Sequence, residues 1–546
     1  MKKVRLAIKK SEKQFWLYIN DQAHVDFFSH STRVDFIKKA NNKFDKDLEF
    51  VAEKFKHHTY GAYLWLFTSE FIRGEAISSL IRWHFIVEMI DYLENDNSYD
   101  IDKLNIETSI PKSIKKHLAG KKFKVRYKVK PYLISFAKYN ARGWLNVLKS
   151  LRKNFQFVFK RPNTKHEGII ADINRSFSKH RYDNINILIE KYPAIKFFSG
   201  QEHPLENIPV KDQVVFRKEL SFLKLLHAIM KAMRISFFTL KNKKDIPDFL
   251  YSNLTDFFNL ILWFDLLVFE KCVQDYLNKN EIEKIFHVST LTKPTYRILM
   301  AEAKKRKIEF TLVASRTLME LRSSERLLRC DVKEYNDTGL PEKYIFKDEF
   351  SKKIFNHYPE LKERTFIGGK YIFSSKNEIN LNKPAAILLL FNHTKPLFYK
   401  LLNEVVHSDA AKLVDTVIFR CHPAFIVGKD EMQKYFPGNI LIDNTGKDFS
   451  ILNKYRTVTI SGATTGALEA VQAGTIILWV PYIWDDGILM DDMMNEIGTN
   501  CINRKKLKTS AEHFIRNSSE LGKKYKIDAN YIEKNFNTKN LISEWL

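Results

Sequence analysis

The sequence has little that would staple it, ligate a metal or anchor it in a bilayer. Its four cysteines, Cys272, Cys330, Cys421 and Cys501, lie far apart and show no metal-ligand spacing, so neither disulfides nor a zinc site is expected and a reducing compartment is predicted. No run approaches the roughly 18 apolar residues that cross a bilayer. The most apolar stretch, 257–273, is interrupted by Asp265 and Glu270 and reads as a buried helix. The N-terminus, Met-Lys-Lys-Val-Arg-Leu-Ala-Ile-Lys-Lys, resumes its charges before any apolar core develops, which argues against a secretory signal. There is no P-loop, no complete Gly-x-Gly-x-x-Gly, no internal repeat and no low-complexity segment. Acidic residues are scarce beside basic ones, 64 against 89, and the net charge of +25 predicts attraction to anionic partners: nucleic acid, anionic lipid, or a nucleotide or acidic sugar. No zinc-finger or RNA-recognition motif accompanies the charge, so nucleic acid is not the expected partner.

What is present suits an α/β protein of more than one domain. A chain of 546 residues exceeds what one core usually serves, and 45% apolar residues is ample for ordinary cores. Strands are expected over 15–19 and 62–67, and a helix over 77–93. Residues 112–130 and 138–161 are rich in Lys and Arg with aromatics among or between them, a mixture suited to an anionic membrane surface or to nucleic acid. Residues 168–173 read as a short strand bearing Asp172 near its end, followed by a polar loop. A carboxylate there faces the cleft of a parallel sheet, which makes Asp172 a candidate general base, with Asp183 in reserve. Helical spacing dominates 211–233 and 246–278. A β-α-β-α-β rhythm follows, with strands at 284–289, 309–315 and 343–347. The polar stretch 376–384 ends in proline and divides the chain into an N-terminal unit, 1–378, and a C-terminal unit, 379–546.

In the C-terminal unit, strands are expected over 385–391, 414–419, 439–443, 456–460 and 475–480. The stretch 461–481 is the most informative. Ser461-Gly462 ends a strand with small residues that let backbone amides be approached closely. Thr464 and Thr465 open a helix whose first N–H groups have no internal partner, so a phosphate would meet free donors and the positive end of the dipole. Glu469 lies about one turn further on, where a carboxylate can accept hydrogen bonds from ribose hydroxyls. Two other strand ends carry groups of the same kind: Asn392, His393 and Lys395 after the first strand, and Arg420-Cys421-His422-Pro423 after the second. In a parallel sheet all three ends lie along one edge.

The stretch 461–481 resembles the donor half of GT-B glycosyltransferases, which carries a small-residue turn, a helix with a ribose-binding glutamate, a glycine, an apolar strand and a proline. Arg420 to Pro423 resembles the His-Pro motif of bacterial GT-B sialyltransferases and of related capsule and lipopolysaccharide transferases that use CMP-sugars. The resemblance spans about residues 385–500. It implies a GT-B fold of two Rossmann-like domains facing a cleft, the first enlarged by helical insertions. It also implies that His422-Pro423, Ser461, Gly462, Thr464 and Thr465 hold the donor, and that His422 stabilises the leaving phosphate. The paired acids Asp485-Asp486 and Asp491-Asp492 lack the Asp-x-Asp spacing of metal-dependent GT-A enzymes, so no metal or other cofactor is expected. The acidic motif that carries the base in those sialyltransferases has no clean copy here.

The reading that follows is transfer of an acidic sugar (sialic acid, Kdo or a related nonulosonate) from a CMP-sugar donor to a glycan or lipid-linked oligosaccharide acceptor. Such an enzyme would serve bacterial surface carbohydrate synthesis from the cytoplasm, peripherally on the inner face of the cytoplasmic membrane. UDP-sugar transfer and CDP-alditol phosphotransfer are alternatives within the enzyme class, since teichoic-acid polymerases resemble the same pattern. A nucleic-acid-binding or scaffold protein that uses its basic surface is the alternative outside it.

Overall fold

The computed structural model describes residues 1–11, 14–55, 75–108, 110, 112–127, 148–173, 187–198, 208–245, 260–289, 294–314, 341–346, 348–349, 351–352, 359–368, 383–390, 405, 409–420, 440–443, 454–461, 470, 475–479, 500–501 and 507–517. Their strands form three sheets.

The first sheet starts at the N-terminus. Strand β1 (Lys2–Ser11) alternates charged and apolar residues, and Val4, Leu6 and Ile8 are buried while Lys3 and Arg5 are exposed. That period of two is what a strand with one covered face requires. β1 pairs antiparallel with β2 (Gln14–Ile19), and β2 with the short β3 (Gln22–Ala23) through a turn in which Asn20 and Asp21 adopt φ of 49° and 63°. Asn and Asp tolerate that left-handed region better than other residues with a side chain. On its other side β1 pairs parallel with β4 (Tyr99–Ile106), and β4 with β5 (Lys124–Tyr127), giving the order β3-β2-β1-β4-β5. The helices His30–Phe55 and Glu75–Asn95 supply Phe36, Phe85, Ile86 and Met89 to its core. Ser29 caps the first of them by accepting the Thr32 N–H at 3.2 Å. The expected strand at 15–19 and helix at 77–93 are therefore present, and the expected strand at 62–67 lies outside the described residues.

The second sheet is wholly parallel. Its strands are β6 (Glu167–Ile173), β7 (Lys196–Phe198), β8 (Gln213–Val214), β9 (Glu281–Ser289), β10 (Glu309–Ala314), β11 (Lys343–Phe346) and β12 (Thr365–Ile367), in the order β12-β11-β10-β9-β6-β7-β8. Counted from its first strand that is 7-6-5-4-1-2-3, the doubly wound order with one strand added. Both faces are covered: Ile170, Ile285, Leu312 and Tyr344 enter one core, and their chain neighbours Ala171, Phe286, Val313 and Ile345 enter the other. This explains why these strands read as continuous apolar runs. The helix expected from residue 211 begins at Phe222, because 210–220 spends its β-branched and aromatic residues on β8 and two 3-10 turns.

The third sheet contains β13 (Ala385–Leu390), β14 (Thr416–Arg420), β15 (Ile440–Asp443), β16 (Arg456–Ser461), β17 (Ile476–Trp479) and β18 (Asn500–Cys501), all parallel, in the order β15-β14-β13-β16-β17-β18. This is 3-2-1-4-5-6. The α/β class with two Rossmann-type sheets is what the chain adopts, and the five-stranded N-terminal sheet precedes them both. No helix among the described residues is long and apolar enough to cross a membrane.

Candidate functional site

Ligands of doubly wound sheets bind outside the carboxyl ends of the strands, where the winding reverses. In the third sheet that point lies between β13 and β16. Hydrogen-bonded register carries one row across it: Asp443 beside Arg420, Arg420 beside Leu390, Leu390 beside Ser461, Ser461 beside Trp479, and Trp479 beside Cys501. All six strands thus reach the same level at the carboxyl edge. β13 is buried along its whole length, so it forms the floor from which the neighbouring ends are levelled.

The described residues include only part of the predicted set. Arg420 is the last residue of β14 and is half-buried, and Ser461 is the last residue of β16. Strand spacing of about 5 Å puts each one strand away from Leu390, on opposite sides of it. Asn392, His393, Lys395, His422, Pro423, Gly462, Thr464, Thr465 and Glu469 lie outside the described residues. In the chain, Asn392 follows Leu390 by two residues, His422 follows Arg420 by two, and Gly462 follows Ser461 directly.

Two contacts hold the strands in this register. Asp415 accepts the Ala385 N–H at 2.7 Å, and the Asp415 N–H donates to the Ala385 carbonyl at 2.9 Å, which locks the starts of β13 and β14 together. Across β16 and β17 the buried hydroxyls of Thr459 and Thr475 bond at 2.8 Å, and the Thr475 hydroxyl also donates to the Ala470 carbonyl at 3.3 Å. Ala470 and Thr475 are thereby tied to the strand that ends at Ser461.

In the second sheet the reversal falls between β6 and β9, and Asp172 is the penultimate residue of β6. It stands in register with Phe198 on one side and His287 on the other. His287 is fully buried, its ring 4.6 Å from that of Tyr296 and 6.4 Å from that of Phe310. Sequence reasoning passed over it, although a histidine inside the apolar run Ile285-Phe286-His287-Val288 is a visible signal. Asp443 and Trp479 were likewise read as strand residues without a role, because only register shows that they share a row with Arg420 and Ser461.

The opposite edge of the second sheet is ionic. Glu309, at the start of β10, lies 3.1 Å from Lys284 and 3.4 Å from Lys343 on the flanking strands. Burial alone would raise its pKa, but the hydrogen bonds and charges of these two lysines outweigh it and hold the carboxyl below its ordinary range. Among the described residues no group of three His, Cys, Asp or Glu side chains is disposed to hold a metal ion.

No known protein-family profile matches the chain, and neither does any curated protein. Among solved structures, the chain is similar to the glycosyltransferase SnogD from Streptomyces nogalater, with 11% identity and a TM-score of 0.41 over 70% of this chain and 98% of that one. It is similar to Acinetobacter baumannii MurG, with 11% identity and a TM-score of 0.39 over 70% of this chain and 98% of that one. It is also similar to Anabaena HepE in complex with UDP, with 10% identity and a TM-score of 0.36 over 68% of this chain and 96% of that one.

Proposed function

We propose that the chain is a metal-independent GT-B glycosyltransferase that takes its sugar from a nucleotide donor held on the carboxyl edge of the third sheet. The observation that carries this reading is the register row at the switch point of a 3-2-1-4-5-6 parallel sheet, with Arg420 and Ser461 on either side of Leu390. Loops leaving strand ends at one level can converge on one ligand, and the helix expected from the sequence at Thr464 and Thr465 would offer free amides to a phosphate.

In the proposed reaction the acceptor hydroxyl oxygen forms a bond to the anomeric carbon while the bond from that carbon to the phosphate oxygen breaks. The electron pair leaves with the nucleotide. His422, Arg420 and the amides after Ser461 meet the charge that grows on the leaving phosphate, donors fixed in place before the bond breaks. Asp172 takes the proton released by the acceptor. Glu469 would hold the ribose, and Asn392, His393 and Lys395, which follow β13 in the chain, would contact the same donor. The donor reads as a CMP-sugar carrying an acidic sugar because of His422-Pro423, and the acceptor as a glycan or lipid-linked oligosaccharide worked on at the inner face of the cytoplasmic membrane.

Calorimetric titration of the purified full-length chain with CMP, CDP and UDP tests the reading. Saturable binding of CMP in the presence of EDTA, tighter than that of UDP, is the expected result. Tighter UDP or CDP binding would transfer the proposal to UDP-sugars or to CDP-alditol chemistry, and binding of none of the three would refute it.

A further inference from the structure

The helix Phe222–Lys241 has two apolar stripes, and only one is covered. Leu225, Ala228, Ala232 and Ile235 are buried in the core of the second sheet. Leu223, Leu226, Met230, Met233 and Phe237 recur at alternating intervals of three and four, and with Phe222 they occupy an arc of roughly 100° that faces solvent. Leu223 is 77% exposed and Phe237 72%. A surface helix normally shows polar residues there, so a continuous apolar stripe marks a contact surface.

The neighbouring helical segment 148–158 packs Leu151 and Val158 against the same core. It is also held there by buried polar residues: Ser150 donates to Asp265 at 2.5 Å, the Asn154 amide donates to Asp265 at 3.1 Å, and Arg217 donates to the Asn154 carbonyl oxygen. These bonds anchor it to the helix Leu260–Lys279, which carries Asp265, and to the 3-10 turn Phe216–Glu219, which carries Arg217. Its outward apolar residues are Leu148 and Phe155, with Phe159 just beyond, 78% exposed. The rings of Phe155 and Phe159 are 5.6 Å apart and those of Phe155 and Phe222 are 6.2 Å apart, so the two outward faces are continuous.

The charge carried by the two segments themselves has one sign. Residues 148–161 contain Lys149, Arg152, Lys153, Lys160 and Arg161, and residues 222–241 contain Lys224, Lys231, Arg234 and Lys241, with no Asp or Glu in either stretch. Lys224 and Lys231 turn toward Asp275 and Glu270 of the underlying helix, while Arg234, Lys241 and all five cations of the first stretch are exposed. A second copy of this chain docked on the stripe would bring like charges together, because a paired apolar seam takes flanking charges of both signs. An anionic bilayer accepts both features, apolar side chains at the acyl boundary and cations among the headgroups.

We infer that the paired outward faces of 148–159 and Phe222–Lys241 form a docking surface for an anionic lipid bilayer. This gives the chain a specific membrane-facing side, and it stands whether or not the nucleotide reading holds. Co-sedimentation of the full-length chain with vesicles of phosphatidylethanolamine and phosphatidylglycerol, and with vesicles of phosphatidylcholine alone, tests it. Binding to the anionic vesicles is expected, at least about tenfold stronger than to phosphatidylcholine and weakened by salt. The double variant Leu223→Ser, Phe237→Ser should lower that binding by at least about tenfold, since each side chain removed forfeits much of its transfer from water. Its unchanged melting temperature and CMP or UDP titration would show that only the surface was altered. Equal binding to both vesicles, undiminished binding by the double variant, or no binding overturns the proposal. So does a concentration-dependent dimer in analytical ultracentrifugation that the same variant disperses, since a second copy would then cover the stripe.

Discussion

Acid should loosen the N-terminal sheet through one histidine. His84 sits in the helix Glu75–Asn95 between the buried Trp83 and Phe85, itself only 4% exposed, inside the core formed with β1 and β4. Burial first, and the charge of Lys43 second, lower its pKa from 6.5 to about 4. The folded state thus resists the proton more than the unfolded chain does, whose histidine titrates near 6.5. As pH falls below about 6.5 the unfolded chain takes up a proton that the folded chain refuses, so stability declines with acid and the loss is complete near pH 4. Between about pH 7.5 and pH 5 the linkage amounts to roughly 2 kcal/mol, a factor of about 30 in the opening equilibrium. Hydrogen exchange of the amides of 83–95, corrected for the intrinsic rate at each pH, reads that equilibrium locally and keeps the other units of a long chain out of the measurement. The comparison is with His84→Leu, which keeps an apolar side chain in the core and removes the titrating group. Carboxylates that titrate over the same range contribute equally to both proteins, so the difference between the two pH profiles isolates His84. Protection that falls with acid by the same factor in wild type and variant would refute the reasoning.

Gly168 has φ of 97° where β6 shifts register against β9, and a Cβ there would meet nothing within 4 Å. Gly168→Ala should therefore cost only the backbone strain, about 1–2 kcal/mol, seen as a lower urea midpoint, and an unchanged midpoint would contradict it. Under the proposed function, Arg420→Ala should weaken nucleotide binding about 10- to 100-fold with an unaltered melting temperature, as loss of a charge-assisted hydrogen bond does. Asp172→Asn should leave nucleotide affinity intact and lower turnover by about 10²- to 10⁴-fold, and a variant that instead lost affinity would move Asp172 out of the base role.

Much of the second and third sheets was legible in the sequence because their strands are covered on both faces. Runs such as Ala385 to Phe391 and Phe310 to Ala314 are almost wholly apolar, and each is followed by a polar residue, Asn392 and Ser315. The first sheet was equally legible in principle: Lys-Val-Arg-Leu-Ala-Ile-Lys alternates at a period of two, but it was weighed as a signal sequence and not as a strand. The short strands β7, β8, β12 and β18 are two or three residues long, too few to show any period, and only their pairing defines them. At the candidate site the sequence pointed to strand ends bearing Arg420, Ser461 and Asp172. Register then set Leu390, Arg420 and Ser461 at one level and brought Asp443 and Trp479 beside them, and in the second sheet it set His287 beside Asp172.

By itself, the sequence determined the longer buried strands and helices, and which of those strand ends carry polar and charged groups. These are local properties, set by side-chain periodicity and by where small and polar residues interrupt it. The order of the strands, the row of ends they share, and the separate N-terminal sheet were decided by tertiary pairing, since a strand's pattern says that it needs neighbours and not which ones. The helix Phe222–Lys241 shows the division most plainly. Its sequence is apolar around most of its circumference, and only the packed structure decided that Leu225, Ala228, Ala232 and Ile235 go inside while Leu223, Met230 and Phe237 are left facing out.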